Sequence, residues 1–252
     1  MKPVLTSLSD VITKADAIID YATKNPFDEV IYKFEATEST VDLIACSGVI
    51  AGSKAVTLLH QALKNTESLV QENKSLFNNK EVKQYLASLN PVSMDRVQVS
   101  DLIRRIDVFN MKQVPRRVQW GDFTSNDVDL FMLGQKKSYR VDCHPLDIVY
   151  VTHETIDCLL LFGFDLPCCR AARDLENKFY VSLQCLYSML TGKVHVPLYL
   201  ADENLYKTLV SDTKKVCIEK IQLRIEKYKQ RGCTFVFKES KLLPCHLKQF
   251  TY

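Results

Sequence analysis

The chain has 252 residues, 46% hydrophobic and 25% charged, with only 7 Gly and 8 Pro. That composition supports a packed core of one large domain or two packed lobes and excludes a disordered or collagen-like chain. A net charge of +3 is too weak to diagnose nucleic-acid binding. No uncharged apolar run approaches the ~18–20 residues that span a bilayer. Met1–Thr6 lacks the apolar core of a signal peptide. The expectation is an intracellular, cytoplasmic protein with no membrane partner.

Ser7-Leu8-Ser9-Asp10 reads as a helix start, and apolar residues at 11/12, 15 and 18/19 predict one amphipathic helix to about Thr23, ended by Asn25-Pro26. Two β-like runs follow, Glu29–Phe34 and Val41–Ala51. The second leads through Gly52-Ser53 into a helical pattern over Lys54–Lys64. Residues 65–118 are polar and mostly helical in pattern, and read as an insertion between two core elements. Asp127–Leu133, Ser138–Asp142 and Leu146–Val151 read as short strands, and His153-Glu154 opens a helix over Thr155–Phe162. Phe164–Arg173 is ambiguous. Helical patterns over Phe179–Leu190 and Leu205–Tyr228 precede a last strand, Thr234–Lys238. The predicted class is mixed α/β, with a core over 1–165 and a mainly helical, basic C-terminal lobe over 166–252. From Asp212 onward ten Lys and Arg oppose four acids, a local surplus of six positive charges. Nine cysteines, an odd number, lie mostly in apolar stretches and read as reduced thiols used as small hydrophobes.

The sharpest constellation is Gly52-Ser53 with Asp127-Val128-Asp129 and, on a later strand, Asp147. Residues i and i+2 of a strand point the same way, so Asp127 and Asp129 present two carboxylates side by side. Their flanks, Val128, Leu130 and Phe131, belong to a core, where unpaired charge is costly. Such a pair calls for a cation, and Mg²⁺ binds one or two carboxylates together with substrate phosphates. Asp147, in the run Leu-Asp-Ile-Val-Tyr-Val, supplies a third carboxylate. Two metals held ~3.5–4 Å apart activate an attacking oxygen and stabilise a leaving one. Gly52 lets the backbone approach phosphate, while Ser53, Lys54 and the N–H groups opening the next helix are candidates to hold a triphosphate.

This ordered set resembles the nucleotidyltransferase (polymerase-β-like) superfamily, whose pattern is strand, Gly-Ser, helix, Asp-x-Asp strand and a third acidic strand residue. The run Trp120-Gly121-Asp122-Phe123-Thr124-Ser125-Asn126-Asp127-Val128-Asp129-Leu130-Phe131 also resembles a block of uncharacterised nucleotidyltransferase-like proteins of large DNA viruses and fungi. So do Phe164-Asp165-Leu166-Pro167-Cys168-Cys169 and Arg224–Cys233, and the three resemblances span roughly residues 45–237. The resemblance implies a small nucleotidyltransferase-type sheet flanked by helices, an NTP substrate, Mg²⁺ or Mn²⁺ held by Asp127, Asp129 and Asp147, and a hydroxyl acceptor. The acceptor class, whether nucleic acid, protein or small molecule, stays open. One departure is the 74-residue separation of Ser53 from Asp127, which requires the insertion to loop out.

Blander readings accompany these residues. Gly48 to Lys54 does not fit a P-loop, because its glycines are four apart and the order is Ser-Lys. Cys143-His144, His153, Cys158 and Cys168-Cys169 lack the paired spacing of structural zinc, and nothing nearby activates a catalytic thiol. Asp165 reads as a turn or cap residue, and Trp120 as packing against the insertion in preference to stacking on a base. Arg224, Lys227 and Arg231 recur at i, i+3, i+7, as candidate phosphate or nucleic-acid contacts or as a solvated helix face. The alternative function is a catalytically silent protein of the same fold that binds RNA, DNA or protein through its basic C-terminal lobe.

Overall fold

A computed structural model describes residues 1–35, 48–77, 128–143, 146–200 and 215–239. Ser7 opens α1 (Leu8–Thr13), its hydroxyl accepting from the Asp10 N–H at 3.2 Å, while the Asp10 carboxylate accepts from the Thr6 N–H at 2.8 Å. The predicted single helix is two. Lys14 leaves the helical region at ψ 18°, and its ammonium bonds the Val4 carbonyl at 2.8 Å, before α2 (Ala15–Lys24) begins. The break lets Leu8, Val11 and Ile12 of α1 pack toward α3 (Ser53–Phe77), while Ala15, Ile18 and Ala22 of α2 face α5 (Leu183–Thr191). The helix after Gly52-Ser53 runs past the predicted Lys64 into the first part of the expected insertion, whose remainder, 78–118, lies outside the described residues.

The remaining elements are β1 (Ile31–Glu35), β2 (Val49–Ala51), β3 (Val128–Met132), β4 (Tyr139–Cys143), β5 (Leu146–Tyr150), α4 (Ile156–Phe162), β6 (Ala171–Arg173), β7 (Lys178–Ser182), β8 (Lys193–Pro197), α6 (Lys215–Gln230) and β9 (Thr234–Lys238). Seven strands form one mixed sheet in the order β1-β7-β6-β2-β3-β5-β4. Pairing is antiparallel except between β3 and β5, which run parallel with Asp129 opposite Asp147 and Phe131 opposite Val149. The class is mixed α/β, as the sequence indicates. The boundary expected after residue 165 cuts through this sheet, because β6 and β7 lie between β1 and β2. The described residues beyond 165 contribute β6 to β9 besides α5 and α6, and the start of the helix predicted from Leu205 lies outside the described residues.

Alternation along the strands divides the core between two faces. Ile50, Leu130, Ala171, Phe179 and Val181 join the larger apolar cluster with α1, α2, α3 and α5. Val49, Ala51, Phe131, Val149 and Ala172 join a smaller one with Leu159 and Leu160 of α4. This explains a misread helix start. Phe179–Ser182 is strand because both faces of the sheet are covered, and Ser182 then caps α5 by accepting from the Cys185 N–H at 3.1 Å. Leu183 to Leu190 are all buried, so α5 is a central helix surrounded by protein. It ends at Gly192, whose φ of 67° is left-handed. No element is predicted at Lys193–Pro197, yet it forms β8 and pairs in parallel with β9, tying α6 to α5. Among the described residues no helix is long and apolar enough to cross a membrane.

His195 of β8 is 2% exposed, stacks on Tyr187 at 4.4 Å and has Nδ1 3.1 Å from Gln184 Oε1, which places the proton on Nδ1. Burial, reinforced by Lys238 and Lys193, holds its pKa down to about 4, against an unfolded value near 6.5. The folded state thus favours the neutral ring. Its contribution is complete above pH 6.5 and is lost progressively as the pH falls toward 4. The expected loss is at most about 3 kcal/mol. Urea unfolding across pH 4–7 should show this slope, and His195→Gln should flatten it.

Candidate functional site

The in-register parallel pair β3–β5 puts Asp129 and Asp147 side by side on the face that carries Phe131 and Val149. Across the next ladder Asp142 of β4 stands opposite Asp147, and Arg140 opposite Val149. Three carboxylates therefore form a row across β3, β5 and β4. Arg140 reaches back over that row. Its Nη2 lies 3.1 Å from Asp129 Oδ1 and hydrogen-bonds Asp147 Oδ2, and its Nε donates to Asp142 Oδ1 at 2.9 Å. Partial burial pulls the Arg140 pKa down, but Asp147, Asp129 and Asp142 outweigh it, so the net direction is up and the guanidinium stays charged.

Asp129, Asp147 and Arg140 line a cleft of about 620 Å³. Gly52 and Ser53 border it where α3 begins, so the positive end of that helix opens on the same cleft as the carboxylate pair. Gly52 is fixed by its N–H to the Ala171 carbonyl at 2.9 Å, and its carbonyl accepts from the Val56 N–H at 3.1 Å. Its φ of 78° is left-handed, and an added Cβ would stand 3.0 Å from the Phe164 ring, which also lines the cleft. Arg224, Lys227 and Tyr228 of α6 complete the lining, with Asp165, Cys169 and the β4 residues Tyr139 and Arg140. Arg224 pairs with Asp165, whose side chain is 7% exposed. Lys227 has no ion-pair partner among the described residues.

α6 is held against the cleft by its own buried face. Ile221, Ile225 and Tyr228 are buried, and the Cys169 thiol donates to Tyr228 Oη at 2.9 Å. Burial, with Cys169 and Cys168 nearby, pushes the Tyr228 phenol far up, so it remains neutral. Cys168, Cys169, Cys185 and Cys233 are buried free thiols, as the apolar context predicts.

Of the residues singled out by sequence, Gly52, Ser53, Asp129, Asp147, Arg224 and Lys227 meet at this cleft. Asp127 and Trp120 lie outside the described residues. Lys54 is in the first turn of α3 but is not among the lining residues. Arg231 follows the end of α6 and does not line the cleft; its guanidinium lies over the Tyr228 ring at 5.3 Å. Asp165 corrects the turn reading only in part. One oxygen accepts from the Leu166 N–H at 2.9 Å, as a turn residue does, and the other holds Arg224. Phe164, Cys169 and Tyr228 lie in runs quoted from the sequence but were given no role at the site, whereas Tyr139 and Arg140 of the lining, and Asp142 beside it, were not singled out at all. Their only signal is adjacency across strands or between distant elements.

Among the described residues no group of three or more His, Cys, Asp or Glu side chains converges as a metal site. The donor set that is present, Asp129 and Asp147, nevertheless suits a hard cation, and a guanidinium already bridges it. Set against family models, curated proteins and solved structures, the chain matches none.

Gly52→Ala should destabilise the protein by ~1–2 kcal/mol through the left-handed backbone alone, and should also crowd Phe164. Urea unfolding should show a lower midpoint at unchanged slope, whereas Ser53→Ala should shift it less.

Proposed function

We propose that the protein is a metal-dependent nucleotidyltransferase that moves a nucleoside monophosphate from an NTP to a hydroxyl acceptor. The observation that carries this reading is one cleft bordered by Gly52-Ser53 at a helix start and by Asp129 and Asp147 in register on parallel strands. Further support comes from the element order: β2 leads through Gly52-Ser53 into α3, and β3 with Asp129 and then β5 with Asp147 follow along the chain, the sequence order named for the resemblance.

In this reading Asp129 and Asp147, with Asp127 two residues before Asp129, would hold Mg²⁺ or Mn²⁺. The metal supplies charge neutralisation of the triphosphate and a more acidic acceptor hydroxyl. Gly52, Ser53 and the start of α3 receive the β- and γ-phosphates. Lys227 and Arg224, the latter shared with Asp165, add positive charge to the cleft lining. Asp147 takes the acceptor proton. The acceptor oxygen forms a bond to the α-phosphorus, and the bond from that phosphorus to the oxygen bridging to the β-phosphate breaks. Pyrophosphate leaves with the electron pair.

The second reading is a catalytically silent protein of the same fold that binds RNA, DNA or a protein through its basic residues. The favouring observation is Arg140, which occupies the carboxylates a metal would use. Salt-sensitive binding that survives Asp129→Asn identifies this case.

Label transfer from each α-³²P-NTP to RNA, DNA and the protein itself, with Mg²⁺ and then Mn²⁺, separates the two. Incorporation by the wild type, reduced at least about 100-fold in Asp129→Asn and Asp147→Asn, is the expected result. No label under any condition, with no thermal shift from metal and nucleotide, would overturn the enzyme reading.

A further inference from the structure

Arg140 carries an inference that deepens the reading above and rests on it. Its guanidinium contacts both Asp129 and Asp147 through one nitrogen, Nη2, and so bridges two carboxylates that stand side by side in register on β3 and β5. A divalent cation held by the same carboxylates needs that space, and two cations side by side repel. The side chain can leave. β4 is the last strand of the sheet, and the Arg140 side chain is 51% exposed. It also lines the same cleft as Lys227 and Arg224, where phosphate oxygens would accept from its planar fork in two places.

We propose that Arg140 is a resident counter-ion of the Asp129–Asp147 pair, displaced by the divalent cation and taken up by the polyphosphate that arrives with it. In the free protein it prevents two adjacent carboxylates from facing each other unneutralised. It also makes a bare metal ion a poor ligand. When a metal–polyphosphate complex enters, the guanidinium exchanges carboxylate partners for phosphate ones, so the complex binds without leaving Arg140 unpaired. The site therefore selects the complex over either component, and the coupling is reciprocal.

The test is binding to the full chain of Mn²⁺ alone, by the resonance signal of free Mn²⁺, and of the Mn²⁺–tripolyphosphate complex, by calorimetry. Arg140→Gln should bind Mn²⁺ alone about tenfold more tightly than the wild type and the complex about tenfold more weakly, within the ~5–150-fold range of coupled sites. Arg140→Lys, which keeps the charge but not the fork, should fall between them in both. Lys227→Gln should change Mn²⁺ alone much less, since Lys227 does not touch the carboxylates. Circular dichroism of each variant verifies folding. Equal affinities of Arg140→Gln and wild type for Mn²⁺ alone, or shifts of the same sign for both ligands, would overturn the proposal while Asp129→Asn and Asp147→Asn still abolish binding. Mn²⁺ binding that survives in those two variants would instead overturn the carboxylate site itself, and the Arg140 proposal with it.

Discussion

Two like charges placed side by side on the inner face of a sheet set the terms for everything around them. The parallel register of β3 and β5 forces Asp129 against Asp147, and the antiparallel register of β4 brings Asp142 into the same row. Carboxylates so arranged repel, and the neighbouring row, Phe131 and Val149, offers no polar relief. A cation must be supplied from outside the row. Arg140 provides it by reaching back over the row, and the start of α3, with its partial positive charge, borders the same cleft. That cleft also holds the Asp165–Arg224 pair and Lys227, which has no ion-pair partner among the described residues.

The sheet that holds this register is stabilised from both faces. The larger cluster of α1, α2, α3 and α5 covers one side, and α4 covers the smaller apolar patch on the other. β2 has only three residues, so its position depends on pairing with β3 and β6 and on the apolar clusters above and below it. Gly52 follows at once in a left-handed turn, which converts strand into helix within a single residue. Rigid support of this kind is what a site built from strand ends requires.

The legible part of the site consists of residues whose type conflicts with their surroundings. Asp129 and Asp147 stand out because acids are unexpected in apolar β-like runs, and Gly52-Ser53 because it punctuates a strand-to-helix change. Arg224 and Lys227 follow from helical spacing. Arg231 has the same spacing but fails, because α6 stops at Gln230 and the face it would extend no longer exists. Arg140 and Asp142 were hidden for the opposite reason. A charged residue on a strand with an exposed edge looks solvated, and only the register with β5 shows whom it meets. Asp165 looks complete as a turn residue, since one oxygen is satisfied by the next residue. Its second oxygen takes a partner 59 positions away, a separation no local pattern encodes. The misassigned start of α5 has the same origin: Phe179–Val181 fits either period, and burial from both faces decides for strand.

The anchoring of α6 has a consequence for how the molecule comes into being. The carboxylate row and the Gly52-Ser53 turn are encoded before residue 150, whereas Arg224, Lys227 and Tyr228 belong to a helix fastened through β9 to β8 and through Tyr228 to Cys169. At ribosomal rates of ~5–20 residues per second, roughly 4–15 s separate the emergence of Asp147 from that of Arg224. During that interval Asp165 awaits its cation, while the acidic row can already be neutralised by Arg140, seven residues before Asp147. The nascent chain thus carries its own shield for the charges made early, and the cations of α6 join the cleft only after a further stretch of chain has emerged.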